Sequence, residues 1–269
     1  MYLCIDIGGT KTLIALVDKY GKILHSVRFA TVADQNIFYA SLLQQIRVNF
    51  VLSGIKAASI AMPGIIKRNQ AVWLGNLPWQ NFDLAAQLKQ DLGRDFPIYV
   101  ENDANLAALA EARLRKGRSL YLTLSTGIGG GIVEDGALVK RYLDFEPGHT
   151  EYIWNGEKLE WEDIAAASAI NKKYGRLVSE IDDRDIWNNI TERIALGLVP
   201  LITSLKPDCV ILGGPLGLML NAYRKSLRKT IAEQLPSRIN QPRLHTAKYA
   251  DLSVIYGCYY YAKLKQARR

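Results

Sequence analysis

Leu3-Cys4-Ile5-Asp6-Ile7-Gly8-Gly9-Thr10-Lys11-Thr12-Leu13-Ile14-Ala15-Leu16-Val17 alternates in polarity and is rich in β-forming residues on both sides of a break at Gly8-Gly9-Thr10-Lys11. It reads as two strands joined by a turn on two glycines. Asp18-Lys19-Tyr20-Gly21-Lys22 is a further turn signal and Ile23 to Phe29 a third extended run, so the chain opens as a β-meander. The second half opens in the same way. Leu120 to Leu124 reads as a strand and Ser125-Thr126-Gly127-Ile128-Gly129-Gly130-Gly131 as a glycine loop. Ile132-Val133 resumes the strand, and Glu134-Asp135-Gly136 makes the turn. The passages beginning at Tyr2 and Leu120 share one plan, which predicts an internal duplication with each copy opening an α/β domain.

Around these passages the pattern places a helix over Asn36 to Phe50, a strand over Ala57 to Ala61, and a break at Met62-Pro63-Gly64. A loop around Gly75 to Phe82 follows, then a helix near Leu84 to Leu92. The strand Pro97 to Val100 runs into Glu101-Asn102-Asp103-Ala104-Asn105 and an alanine- and leucine-rich helix as far as Arg115. Helices fill Trp161 to Leu205, and Val210-Ile211-Leu212 is a buried strand ending in Gly213-Gly214. At roughly 150 residues per domain, 269 residues predict two domains. The polar connection between Arg113 and Ser119 divides them into 1–115, completed by a C-terminal helix at about 250–269, and 116–249.

Composition narrows the function. With 49% apolar and 22% charged residues the chain is an ordinary globular protein, neither disordered, collagenous nor coiled-coil. No window offers the roughly 18 uninterrupted apolar residues of a membrane span. Met1 to Asp6 has no basic n-region and carries an acid where a signal sequence would be apolar, so a cytoplasmic location is expected. Cys4, Cys209 and Cys258 are too widely spaced for a disulfide framework or a four-thiolate zinc site. The net charge of +8 comes from scattered residues. The clearest cluster, Arg224-Lys225 with Arg228-Lys229, repeats at helical spacing and reads as a solvated face.

Two glycine loops, one opening each half, point to a polyphosphate gripped by backbone N–H groups. Asp6 ends the first strand, where a carboxylate can hold Mg²⁺ directly or through water. Thr10 and Lys11 add a hydroxyl and a cation. Neither loop fits G-x-x-x-x-G-K-[ST], and neither opens a dinucleotide-binding βαβ unit, because a strand follows each. Asp103 and Asn105 are placed to cap a helix. Asp103 at a strand end is also placed to act as a general base for a hydroxyl nucleophile. Glu146-Pro147-Gly148-His149 sets an acid and an imidazole where they can bind vicinal hydroxyls, or is simply a turn. Glu162 can do the same or merely favour a helix start. Asn76 and Trp79 can touch a sugar or pin their loop.

Taken together these passages closely resemble the ROK family (repressors, uncharacterised reading frames and sugar kinases) of the actin-like ATPase superfamily. Asp6 to Lys11 resembles its first phosphate motif, Asn76-Leu77-Pro78-Trp79 its sugar loop, and Glu101 to Asn105 the stretch carrying its catalytic aspartate. Ser125 to Gly131 resembles the second phosphate loop, Glu146 to His149 the E-x-G-H sugar motif, and Leu212-Gly213-Gly214 the adenosine-side glycine pair. The order is the family's, and the motifs cover nearly the whole chain. The resemblance implies an α/β, two-domain actin-like ATPase (ribonuclease H-like) fold with duplicated mixed sheets and a cleft between the domains. It implies an ATP-dependent hexokinase of glucokinase type. Asp103 would deprotonate a hydroxyl, at C6 of a glucose-like hexose, with Asn76, Asn102, Glu146, His149 and Glu162 binding the sugar. Asp6 would place Mg²⁺; Gly8, Gly9, Thr10, Lys11, Thr126 and Gly127 would hold phosphates, and Gly213 and Gly214 would face the ATP. Glu162, before Ala165-Ala166-Ala167, fits the family's sugar-side glutamate better than Glu160 does. Closure of two domains around the sugar would exclude competing water. A homodimer is implied, and neither nucleic acid nor membrane is expected as a partner.

Two departures matter. Many members carry a cysteine-rich zinc loop after E-x-G-H, whereas Thr150 to Trp161 contains no cysteine. No zinc is expected, and Trp154 and Trp161 are expected to pack in its place. That compact form resembles the family's polyphosphate-using glucokinases, so polyphosphate is the alternative donor. Family repressors carry a winged helix-turn-helix before the first phosphate motif; only five residues precede Asp6, so DNA binding through that module is not expected. A catalytically idle sugar sensor is the reading from a different class, and it has no need of Asp103 and both phosphate loops.

Overall fold

The computed structural model describes all residues except 76, 81, 268 and 269. It divides into two compact units, residues 1–110 with 252–269, and residues 111–251. The passage between them falls in the last turn of a helix, a few residues before the polar Arg113–Ser119 connection.

In the first unit β1 (Tyr2–Ile7), β2 (Lys11–Val17) and β3 (Ile23–Ala30) form the antiparallel meander. After α1 (Gln35–Asn49), β4 (Ala57–Met62) joins β1 in parallel. A hairpin of β5 (Ile65–Lys67) and β6 (Gln70–Trp73) and helix α2 (Leu84–Leu92) precede β7 (Ile98–Asn102), which is parallel to β4. β7 runs directly into α3 (Asp103–Ala112), which stops short of Arg115. The sheet order is β3-β2-β1-β4-β7. The central strands are buried on both faces, which is why β4, Ala-Ala-Ser-Ile-Ala-Met, reads as a continuous apolar run. Asp34 starts α1 by accepting the N–H groups of Asn36 and Ile37, both at 2.9 Å. Asp83 caps α2, and Gly93 ends it in the left-handed region.

The β5–β6 hairpin corrects the sequence reading, which had only a break and a loop there. Arg68 and Asn69 turn the corner at positive φ, and Asn69 donates to Ile98 O at 2.9 Å, so its side chain stitches the hairpin to β7.

The second unit repeats the plan. β8 (Arg118–Leu124), β9 (Ile128–Glu134) and β10 (Ala137–Leu138) are antiparallel neighbours. A second hairpin, β11 (Glu151–Trp154) and β12 (Glu157–Glu160), leads into α4 (Trp161–Ala165), α5 (Ala167–Tyr174) and the long α6 (Arg184–Leu205). β13 (Cys209–Gly213), α7 (Gly214–Leu218), α8 (Leu220–Gln234) and β14 (Arg243–Thr246) complete it. Its order, β10-β9-β8-β13-β14, with β13 parallel to both β8 and β14, matches that of the first sheet. The loop read over Ser125 to Gly131 is shorter than expected: Gly129, Gly130 and Gly131 belong to β9. A Cβ on Gly130 would stand 2.8 Å from the Phe145 ring and 2.9 Å from Pro147, so the residue is small to admit a covering segment rather than to form a loop. Arg224 is not simply solvated, since its guanidinium donates to Leu244 O at 2.5 Å and ties α8 to β14.

The chain returns to the first unit as α9 (Ser253–Ala267). Ile255, Cys258, Tyr259 and Ala262 bury against Tyr2, Cys4, Ala57 and Ala61 on one face of the first sheet. No helix among the described residues is long and apolar enough to cross a membrane.

Candidate active site

In the first unit the charged residues gather where β1 and β7 end. Asp6 is the last residue but one of β1, and Asp103 opens α3 straight after β7. Burial first, and then the neighbouring Asp103 carboxylate, push the Asp6 carboxyl up to about 7, against a smaller downward pull from Arg28. Burial lifts Asp103 to about 6, while its hydrogen bond from the Ala104 N–H, 2.7 Å, pulls the other way. Two carboxyls pushed up together mark a place where burial outweighs the nearby positive charge of Arg28.

The first turn of α3 is capped by two side chains, one of them absent from the sequence reading. Asn102 Oδ1 accepts the Asn105 N–H at 2.9 Å and its Nδ2 donates to Gly64 O at 2.8 Å, while Asp103 Oδ1 accepts the Ala104 N–H at 2.7 Å. Asn102 is 3% exposed and fixes the turn from beneath.

The turn Gly8–Thr10 follows β1 and closes through Gly8 N–H to Lys11 O at 3.0 Å. A Cβ on Gly9 would meet nothing within 4 Å, and Gly9 is not at positive φ. The fold therefore does not demand glycine there; an approaching anion would. Thr10 and Lys11 are exposed beside it.

Asn76 lies outside the described residues. Trp79, offered as a sugar contact or a loop pin, is the pin: it is 5% exposed, donates to Ala33 O at 3.0 Å, and lies 4.4 Å centroid to centroid from Phe38. A hollow of about 500 Å³ runs along this segment between Ala71 and Gln80, and none of the described residues lining it is titratable.

The second unit gathers a different set. The Ser125–Gly127 loop is fastened to α5 by Ser168, whose Oγ donates to Thr126 O at 2.5 Å and whose N–H donates to Ser125 O at 3.1 Å. Ser168 was not singled out in the sequence; one serine among alanines carries no spacing signal. A Cβ on Gly127 would run into the Glu162 carboxylate, and one on Gly148 would stand 2.8 Å from the same group. Glu162 accepts the Ile128 N–H at 3.1 Å, so one carboxylate is seated between the glycine loop and the E-x-G-H segment. His149 Nδ1 lies 2.8 Å from Glu160 Oε2. Burial lowers the His149 pKa, but the Glu160 hydrogen bond and the charges of Glu162, Glu160 and Glu146 outweigh it and leave it raised. His149, Glu160 and Glu162 offer ligand atoms within 4.8 Å of one another, so both glutamates reach the histidine. The three cysteines are free and buried in β1, β13 and α9.

Trp154 and Trp161 hold the β11–β12 hairpin. Arg193 stacks over the Trp154 ring at 4.9 Å, and fully buried Trp161 donates to Arg193 O at 3.0 Å. Gly213 and Gly214 end β13 against β8. A Cβ on Gly213 would meet the Tyr121 hydroxyl; Gly214, at φ +71, would press one 2.6 Å from Leu124 O. Packing alone requires both glycines, and it sets them beside the Ser125–Gly127 loop.

Comparison with known proteins places the whole chain in one family. The ROK family profile matches residues 2–265. A fructokinase from Lactococcus lactis subsp. cremoris is 29% identical over 94% of this chain and 91% of its own. Two solved structures superpose over almost the full length of both chains. A ROK hexokinase from Thermus thermophilus has TM-score 0.77 and 26% identity, covering 100% of this chain and 99% of that one. An inorganic polyphosphate/ATP-glucomannokinase from Arthrobacter sp. strain KM has TM-score 0.74 and 27% identity, covering 98% of each.

Proposed function

The chain belongs to the ROK family, with the two-domain actin-like ATPase fold, and we propose that it is a sugar kinase transferring the γ-phosphoryl group of ATP to the C6 hydroxyl of a glucose-like hexose. The observation that carries this reading is the Asp103 carboxyl: it opens a helix after a buried strand, beside the Asp6 carboxyl, and is raised to about 6. A base must be largely ionised at neutral pH yet hold a proton well once it has one, and a carboxyl near that value does both.

In this mechanism the sugar hydroxyl gives its proton to Asp103 as its oxygen bonds to the γ-phosphorus, and the bond from phosphorus to the bridging oxygen breaks to release ADP. The open turn at Gly8–Thr10, with Lys11, offers N–H groups and a cation to the phosphates, and the Ser125–Gly127 loop offers more. Asn102, Glu146, His149 and Glu162 bind the remaining hydroxyls; the ROK resemblance carries that joint use. A divalent cation fits at Asp6, because that carboxyl is buried beside a second one, Asp103, and the pull of Arg28 does not offset the two. Asp6 would hold Mg²⁺, which supplies positive charge to the phosphates.

Polyphosphate is the second donor reading, favoured by the similarity to the glucomannokinase whose name includes that donor. The test is a coupled assay on glucose, fructose, mannose, allose and N-acetylated amino sugars, with Mg-ATP and separately with polyphosphate. Turnover of a hexose with ATP supports the proposal, turnover with polyphosphate alone replaces its donor, and silence with both defeats it. Asp103→Asn is expected to abolish transfer while sugar affinity stays within about tenfold.

A further inference from the structure

Glu101 stands two residues before Asp103 and is 5% exposed. Alternation along β7 turns it to the sheet face that α9 covers, opposite to Asn102 and Gly64. Its Oε1 accepts the Asn102 N–H at 3.0 Å and Nδ2 of Asn105 at 3.2 Å. Its Oε2 accepts the hydroxyl of Tyr261, on α9, at 3.2 Å. A buried carboxyl is tolerated where hydrogen bonds satisfy it, and this one bonds both sides of the β7–α3 turn and a helix 160 residues away in sequence.

α9 is pressed close against that turn. One helical turn before Tyr261, Gly257 lies so near α3 that a Cβ there would run into the Leu106 carbonyl. The same helix reaches the strand of Asp6, where Cys258 Sγ donates to Ile5 O at 3.6 Å. One element therefore touches both the strand that carries Asp6 and the turn that carries Asp103. Asp103 takes its own hydrogen bond from Ala104, inside the turn, so its location follows the turn.

We propose that Glu101 and Tyr261 are positioning residues: through them α9 braces the β7–α3 turn and sets where the Asp103 carboxylate stands relative to Asp6. The proposal rests on Asp103 as the base. A displaced base slows transfer more than it weakens sugar binding, since a misplacement of about 1 Å can cost on the order of 100-fold in rate.

The test measures kcat and sugar KM with Mg-ATP and D-glucose or D-fructose for four variants. Tyr261→Phe keeps the ring and its edge-on packing against Tyr99, and removes only the hydroxyl. Glu101→Gln keeps the shape and the Oε1 acceptor, whereas Glu101→Ala removes all three bonds. The expected kcat losses are about 30-fold or more for Glu101→Ala, about fivefold for Tyr261→Phe and at most about threefold for Glu101→Gln, with KM within about threefold throughout. Glu101→Ala within about twofold of the unaltered protein overturns the proposal, and so does a Glu101→Gln as slow as Glu101→Ala. A KM that rises as much as kcat falls overturns it too, because the bonds would then serve sugar binding. If Glu101→Ala does not fold, full kcat in Tyr261→Phe overturns it instead. Asp103→Asn is the fourth variant. If active, it defeats the base reading and this proposal together; if inactive beside unimpaired Glu101 and Tyr261 variants, it leaves the base standing and defeats the brace alone.

Discussion

Gly9 and Gly127 lie in the same turn of two copies of one topology, between the first two antiparallel strands of each unit. A Cβ on Gly9 would meet nothing within 4 Å, while one on Gly127 would run into the carboxylate of Glu162. In the first unit the glycine answers to something outside the fold, and the turn is built open. In the second it answers to the fold itself, which seats Glu162 against the loop and ties Thr126 to Ser168. Similar glycine patterns thus arise from different physical causes. The open turn is the one to test with ligand, and the packed one with stability.

The largest expected contrast follows directly. Gly127→Ala should force the Glu162 carboxylate out of its seat and break its bond from the Ile128 N–H, destabilising the protein by about 1 kcal/mol. The same change should lower kcat/KM by roughly 100-fold, because Glu162 also borders the E-x-G-H segment. Gly9→Ala, at an ordinary φ with open space, should leave stability within about 0.5 kcal/mol while raising KM for ATP about tenfold. Thermal unfolding and steady-state kinetics on the two variants decide it. Equal losses of stability would dissolve the comparison.

That contrast also explains what could be read in advance. The strands flanking Gly8-Gly9 are nearly continuous buried runs rich in β-forming residues, and Asp103 follows a strand and opens a helix, so local pattern located both. The strand identity of Gly129 to Gly131 comes from pairing with Thr123, Leu122 and Tyr121, which glycines do not announce, and Gly130 is small because Phe145 and Pro147 lie over it. The β5–β6 hairpin depends on Asn69 reaching a strand 29 residues away. The bond from Tyr261 to Glu101 has no local signature, because a tyrosine-rich helix announces burial and not its partner. Ser168 and Asn102 are short polar side chains whose roles are settled by what the fold sets within reach.

The units differ next in charge. The first holds two neighbouring carboxyls, Asp6 and Asp103, and burial with their mutual repulsion outweighs the pull of Arg28 on Asp6, so protons should read its state. The proposed mechanism needs the ionised pair, so kcat/KM should fall below about pH 6–7 with apparent values belonging to the pair rather than to either residue. Stability of the ligand-free protein moves the other way. Near pH 4 and below, folded and unfolded chains both tend to carry the Asp6 proton, and burial is tolerated. As pH rises towards about 7 the unfolded chain releases that proton while the folded chain retains it, so stability falls, and above about 7 the loss is complete. Asp6→Asn should therefore raise the melting temperature at pH 8 and change it little at pH 4, while removing metal-dependent activity. A lower melting temperature at pH 8 would mean that the carboxylate is satisfied in a way that its raised pKa does not reflect.

The smallest effect belongs to His149. Here the second unit reverses the first: a basic group sits among Glu160, Glu162 and Glu146, and its protonated form is favoured. Because the folded-state pKa is raised, the stabilisation is present in full below the ordinary histidine value and is lost as pH rises through the folded value. His149 and Glu160 side chains are 37% and 42% exposed, so solvent screening keeps the ion pair to a few tenths of a kcal/mol at most. Glu160→Gln should lower the His149 pKa, read by NMR titration of the imidazole, with the melting temperature almost unmoved. If instead Glu160→Gln leaves the titration in place and Glu162→Gln shifts it, the histidine answers to the carboxylate that also seats the glycine loop. The second unit would then hold its glycine loop and its imidazole through one side chain, a coupling for which the open turn at Gly9 has no counterpart.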